Sequence, residues 1–242
     1  MRRVSTRIPK LPQRLREAAE WRTFVADLPP PAELDSRTVG EVVTDRRTSW
    51  VRRLRTASGT IFLKTYEYGT WASRLRDFGH RTGPWSTPRP AREFDALVWL
   101  RAHGFAAPRP LAAWAFRRWG FVVRTTLVTE AHPGQAASEL LPQLEQRARI
   151  AAAQAIGTFV RQLHALGFRD RNLDLRNLLL TFTNDRWVVA KIDSPRFRLR
   201  HPGTTDDDLA RADWQRLDPQ LAVLGLLETV HAAAAGVVDS PS

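Results

Sequence analysis

The stretch Gly167–Leu180, GFRDRNLDLRNLLL, decides how the rest of the chain is read. It follows helical text ending in LHALG and runs into an apolar triplet suited to a strand. Between the two lie Asp170, Asn172, Asp174 and Asn177. A loop that gathers carboxylates and amides offers hard oxygen ligands for a divalent cation and acceptors that can orient a hydroxyl.

Outward from that loop the text alternates in kind. Downstream, LLLTF, a turn at TNDR and WVVAKID predict a β-hairpin whose second strand ends at Asp193. The tail DDDLARADWQRLDPQLAVLGLLETVHAAAAG reads as helical. Upstream, LPQLEQRARIAAAQAIGTFVRQLHALG is helical, with Ile156, Phe159, Val160 and Leu163 on one face. The breaker HPGQ separates this half from an earlier one rich in Val, Thr, Ile, Phe and Trp. There TVGEVVTD, TSWVRRLRT, TIFLKTYEY, PLAAWAF and FVVRTTLVTE predict strands, with hairpin turns at ASG and RRWG. One helix, PAREFDALVWLRAHG, interrupts them, and GTWASRLRDFGHRTGPWSTPRP is a connector punctuated by Gly and Pro. The fold class expected is therefore α+β in two lobes: a β-rich N-lobe with one helix over residues 36–130, and a mainly helical C-lobe with a β-hairpin over 131–242. Residues 1–35 are expected to form a basic, helical N-terminal extension closed by PPPAEL.

Composition narrows the function classes. The 242 residues contain no Cys, which excludes disulfides and thiolate metal sites. The start, MRRVSTRIPKLPQRLREAAEW, has charge without an apolar run behind it and is not a secretory signal. No window approaches 18 uninterrupted apolar residues, so the expected location is cytoplasmic. The net charge of +12 favours anionic partners. Because the arginines are dispersed and no nucleic-acid motif appears, a nucleic-acid-binding module is the remote alternative and no nucleic acid is expected. Lysine occurs only at Lys10, Lys64 and Lys191 among 37 basic residues. A lysine kept inside a strand of such a chain points to a slim ammonium that an arginine cannot replace.

Phosphoryl transfer from ATP needs a strand lysine for the phosphates, a helical carboxylate to place it, a backbone hinge for adenine, two oxygen ligands for Mg²⁺, and a group that orients the acceptor hydroxyl. The chain supplies candidates in that order: Lys64 in IFLKTY, Glu93 in PAREFDAL, the hinge Glu130, Ala131 and His132, then Asn177 and Asp193 for the metal. The texts GEVV, FLKTY, AREFDALVWLRAHGFAAPRPLAAW, LVTE, FVRQLHALGF, RNLLL and KIDSPRFR resemble the lipopolysaccharide core kinase family, the Kdo/heptose kinase group of protein-kinase-like folds. The resemblance covers roughly residues 38 to 200 and implies ATP, Mg²⁺ and transfer to a sugar hydroxyl of the lipopolysaccharide inner core. It also implies work at the inner face of the cytoplasmic membrane. The charge of the N-terminal segment suits a peripheral contact with anionic lipid, while such a segment more often packs on the domain edge. In SPRFRLRHPG, Arg196, Arg198 and Arg200 recur at period two, and on an extended segment they would share a face able to grip an anionic sugar.

The catalytic loop departs from the family pattern. Five residues before Asn177, where the family carries the catalytic aspartate, stands Asn172, and Asp170 stands where the family has histidine. An amide cannot accept the acceptor's proton, and general base catalysis is worth about 10²–10⁴-fold. One expectation is a nucleotide-binding pseudokinase or scaffold. The other is an active enzyme in which metal and positioning carry the reaction, with Asn172 orienting the acceptor or with Asp170 or Asp174 as a displaced base.

Overall fold

Five residues loaded with charge, Gln13–Glu17, open the described part of the chain as β1. The computed structural model describes residues 13–25, 28–69, 87–204 and 207–236. β1 pairs antiparallel with β5 (Pro110–Arg118), matching Gln13 to Ala115 and Glu17 to Ala112 across a bulge at Arg14/Arg16. The helix expected over this segment is reduced to α1 (Trp21–Val25) and the short α2 (Pro31–Leu34). A free edge on β5 explains the difference: an added strand satisfies that row of backbone groups, and this outweighs local helix propensity. Nor do the described residues of the segment lie wholly at the surface. Trp21, Phe24 and Leu34 are buried with Ile61, Leu63, Leu111, Trp114 and Phe116. Asp35 is buried beside them, accepting hydrogen bonds from Trp114 Nε1 at 3.1 Å and from Thr126 Oγ1. Residues 1–12 and most of the expected connector, 70–86, lie outside the described residues.

The remaining strands follow the β-branched and aromatic runs: β2 (Glu41–Arg46), β3 (Ser49–Thr56), β4 (Gly59–Glu67) and β6 (Phe121–Glu130). They form one antiparallel sheet in the order β1-β5-β6-β4-β3-β2. The β5–β6 turn has both central residues at positive φ, Trp119 at 51° and Gly120 at 78°, the geometry that matches strand twist in a two-residue hairpin. Helix α3 (Arg89–Ala102) buries Ala91, Phe94, Leu97 and Leu100, and Gly104 at φ 81° ends it.

By its contacts the chain separates into two units, one within Met1–Trp99 and Pro108–Ala131, the other within Leu100–Ala107 and His132–Ser242. The second holds β7 (Gln135–Ala136), α4 (Ala137–Leu140), α5 (Gln146–Ala165), β8 (Phe168–Arg169), the hairpin β9 (Leu178–Thr183) and β10 (Arg186–Lys191), β11 (Arg198–Leu199), α6 (Asp208–Val223) and α7 (Leu227–Ala235). Its strands form a β10-β9-β7 sheet and a β11-β8 ladder. Ile156, Phe159, Val160 and Leu163 of α5 are all buried, as their spacing predicts. Among the described residues, no helix is long and apolar enough to cross a membrane.

Candidate active site

Strand alternation sets the first candidate cluster, which lies within the first unit. On β4, Ile61, Leu63 and Thr65 are buried on one face, which turns Lys64 to the other. Lys64 is held in register between Val51 of β3 and Leu127 of β6. Its Nζ lies 2.9 Å from Glu93 Oε1 on α3, with Lys64 partly exposed and Glu93 nearly buried. A helix carboxylate therefore fixes the direction of a strand ammonium that still reaches solvent.

Of the expected hinge, Glu130 ends β6 with Oε2 3.4 Å from Arg109 Nε, and His132 Nδ1 lies 2.6 Å from its neighbour's carbonyl at Pro133. The Ala131 N–H donates to the Thr60 carbonyl at 2.8 Å, extending the β4–β6 ladder by one rung. That amide is thus committed to the sheet.

A second cluster, within the other unit, is a knot of hydrogen bonds around the loop that follows α5. Asn172 Nδ2 donates to the Asp193 carbonyl at 2.7 Å and to Asp193 Oδ2 at 3.0 Å. Asn177 Nδ2 donates to the Asn172 carbonyl at 3.0 Å, and the Ile192 N–H donates to the Asn177 carbonyl at 2.9 Å. The loop and the end of β10 are therefore tied at three places. Asn172, Asn177 and Asp193 are brought together, with the Asn177 amide oxygen turned away from the hydrogen bond its nitrogen makes.

Two residues of this knot hold left-handed backbone without being glycine: Arg171 at φ 56° and Asp193 at φ 58°. Each such residue costs on the order of 1–2 kcal/mol. Asp213 of α6 holds the first in place. This fully buried carboxylate accepts from the N–H of Asp170 at 3.0 Å and of Arg171 at 2.6 Å, and it lies 3.2 Å from His164 Nε2. Sequence reasoning missed it, although a signal existed. Ala210, Asp213, Leu217 and Leu221 form one buried helical stripe, and an acid on such a stripe has a polar partner to hold.

The two aspartates expected as displaced bases are engaged elsewhere. Asp170 is fully buried, with Oδ2 3.0 Å from Lys191 Nζ, itself fully buried. Burial lifts the Asp170 carboxyl to about 6, the Lys191 ammonium pulls it down, and Asp213 adds to the rise. A side chain with no exposed surface cannot meet an acceptor, so its place is behind the loop. Asp174 is gripped by Arg176 through Nε at 3.0 Å and Nη2 at 2.8 Å, and it also accepts from the Arg176 N–H at 3.0 Å. That side-chain pairing holds Asp174 below the usual carboxylate range despite partial burial.

The arginine row is broken up. Residues 194–197 form a turn, with the Phe197 N–H on the Ser194 carbonyl, and only Arg198–Leu199 is strand, paired with β8. Arg196, Arg198 and Arg200 are all exposed, but a turn and a two-residue strand do not present them as one extended face. Arg200 Nε lies 3.9 Å from Asp207 Oδ2.

Asp193 and Asn177 offer one carboxylate and one neutral oxygen, a donor set that fits Mg²⁺. Among the described residues, no group of three or more His, Cys, Asp or Glu could hold a metal alone. A cation here would therefore take further oxygens from a phosphate ligand and water, as Mg²⁺ at nucleotide sites does.

Comparison with known proteins bears on the family and the fold. A 3-deoxy-D-manno-octulosonic acid kinase of Vibrio vulnificus is 28% identical over 158 residues, covering 65% of this chain and 64% of the kinase. The chain thus spans just under two thirds of that relative's length. An aminoglycoside 3'-phosphotransferase of Streptomyces fradiae is 33% identical over 130 residues, 53% of this chain and 45% of that enzyme. The solved structure of WaaP in complex with acyl carrier protein superposes with a TM-score of 0.63 at 16% identity, covering 93% of this chain and 89% of that one. It shows the same two-lobed, protein-kinase-like fold. The sequence profile of the lipopolysaccharide kinase (Kdo/WaaP) family matches residues 32–222, most of the chain. The chain belongs to the lipopolysaccharide kinase (Kdo/WaaP) family.

Proposed function

We propose that the chain is a phosphotransferase that uses ATP and Mg²⁺ to phosphorylate a sugar hydroxyl of the lipopolysaccharide inner core. The observation that carries this reading is the 2.9 Å ion pair between Lys64 and Glu93, a strand ammonium aimed by a helix carboxylate. Lys64 binds the α/β phosphates, and the backbone of Glu130–His132, apart from the Ala131 N–H, reads the adenine. Asp193 and Asn177 hold the metal, which when bound neutralises charge on the triphosphate. Arg196, Arg198 and Arg200 supply positive charge for an acidic sugar. The acceptor oxygen forms the new bond to the γ-phosphorus. The bond to the β–γ bridging oxygen breaks, ADP leaves with that electron pair, and the hydroxyl proton passes to solvent.

The test is transfer of labelled γ-phosphate to inner-core acceptors bearing 3-deoxy-D-manno-octulosonic acid or heptose. Lys64→Ala and Asp193→Asn should each lower the rate by about 10²–10³-fold, the scale of losing one electrostatic stabiliser. A parent protein whose melting temperature ignores Mg·ATP would sink the reading. One observation favours a second reading, a nucleotide-binding pseudokinase: the loop's central residue is an amide, and neither neighbouring carboxylate is unengaged. Mg·ATP binding without transfer to any core acceptor would select it.

The reading extends to a peripheral contact with anionic lipid at the inner face of the cytoplasmic membrane. Strand register supports it by placing the β2–β3 and β5–β6 tips at the same end of the sheet. Arg46, Arg47, Arg117, Arg118 and Trp119 lie there, with Trp119 70% exposed and the Arg118 guanidinium 4.6 Å from its ring centre.

A further inference from the structure

Two acceptors surround the Asn172 amide nitrogen, the Asp193 carbonyl at 2.7 Å and Asp193 Oδ2 at 3.0 Å. Only the NH₂ end of the amide can face them. Asp193 itself sits in a left-handed backbone conformation, φ 58°, which a non-glycine residue keeps only where its surroundings enforce it. Asn172 grips both the backbone and the side chain of that residue, and Asn177 in turn holds the Asn172 carbonyl at 3.0 Å.

We propose that Asn172 is a positioning residue: its amide latches Asp193 in the conformation that receives Mg²⁺, so the asparagine is an adaptation of this loop and not a degraded base. An aspartate there has no hydrogen to donate while ionised. It would set one carboxylate against another and against a carbonyl oxygen at hydrogen-bond distance. The substitution that the family pattern invites, Asn172→Asp, would therefore not repair this loop. Asp170 is sealed against Lys191 and Asp174 is bound to Arg176, so neither carboxylate is placed to take over the latch.

The inference rests on the phosphotransferase reading, and the experiment separates the two. Mg²⁺ is titrated into the full chain at saturating ADP, where no phosphoryl group can be transferred, and melting is followed in parallel with EDTA. Asn172→Ala should need about tenfold more Mg²⁺ for half-saturation, because two hydrogen bonds to the ligand residue are gone. Asn172→Asp should melt below the parent in EDTA and close that gap as Mg²⁺ is added, since the cation neutralises the facing carboxylates. A merely structural asparagine would lower melting equally with and without the metal. If the parent takes up Mg·ADP and both variants do so at the parent's midpoint, the latch is wrong while the phosphotransferase reading stands. A parent that takes up no Mg·ADP overturns both.

Discussion

Both lysines among the described residues of this arginine-rich chain sit against a carboxylate, Lys64 against Glu93 and Lys191 against Asp170. The second pair is sealed on both sides. A guanidinium would bring a planar fork and five donors into a space where one ammonium meets one carboxylate and the Ile192 carbonyl. Breaking such a pair from one side leaves an uncompensated buried charge, so Lys191→Met should destabilise the protein by about 3–5 kcal/mol. Asp170→Asn combined with Lys191→Met should recover most of that loss, because the remaining groups are neutral. Urea denaturation of the two singles and the double closes this cycle, and strictly additive losses would show that the pair does not interact. At this scale the rarity of lysine made the two positions legible. The carboxylate that each ammonium meets was not fully legible, because Asp170 stands in a loop whose direction no period reveals.

Helices α5 and α7 meet where a side chain would not fit. A Cβ on Gly157 would lie 2.2 Å from the Val230 carbonyl oxygen and 2.9 Å from Ala233 Cβ. Gly157→Ala would gain about 1 kcal/mol of helix propensity. Against that, the contact is with backbone and a methyl group that cannot swing aside, so net destabilisation of about 1–3 kcal/mol is expected from the lowered urea midpoint at unchanged slope. A stabilised variant would mean the helices can part without loss. The face of α5 was readable from Ile156, Phe159, Val160 and Leu163, whereas its tightest contact was not, since a glycine in helical text also reads as a weak point. β1 failed for the opposite reason. Gln13–Glu17 is an edge strand with exposed side chains, so it carries no alternation, and only the unpaired edge of β5 makes it a strand. The loop within Gly167–Leu180 was legible as an ordered set of residue types, but its hydrogen bonds depend on where α6 places Asp213.

Stability as a function of pH and attraction to surfaces belong to the molecule as a whole. Burial lifts Asp35 to about 7, against the hydrogen bonds from Thr126 and Trp114 and the pull of Arg124. A carboxyl raised on folding binds a proton more tightly in the native state. Its contribution is present at low pH and is lost as pH rises from about 4 through 7. Asp170 acts in the same direction up to about 6, while Asp174, held low, acts oppositely and favours the native state as pH rises. Asp35→Asn keeps an oxygen for Trp114 and Thr126 without the charge, so it should stabilise the protein by about 2–4 kcal/mol at pH 8 and by little at pH 4. An equal effect at both values would show that Asp35 does not titrate in this window. The surplus of positive charge, +12 over the chain, acts at longer range. At the end of the sheet that carries Arg46, Arg47, Arg117 and Arg118, the exposed Trp119 offers a flat amphipathic ring of the kind that rests among lipid headgroups. Each such arginine contributes about 1 kcal/mol near an anionic surface. Cosedimentation with phosphatidylglycerol-containing vesicles should fall by roughly tenfold or more for Arg46→Ser with Arg47→Ser, and also for Trp119→Ser. High salt should abolish it, because the screening length drops to about 3 Å at 1 M. Equal binding to neutral phosphatidylcholine vesicles, or variants that sediment like the parent, would remove this end of the sheet from the membrane.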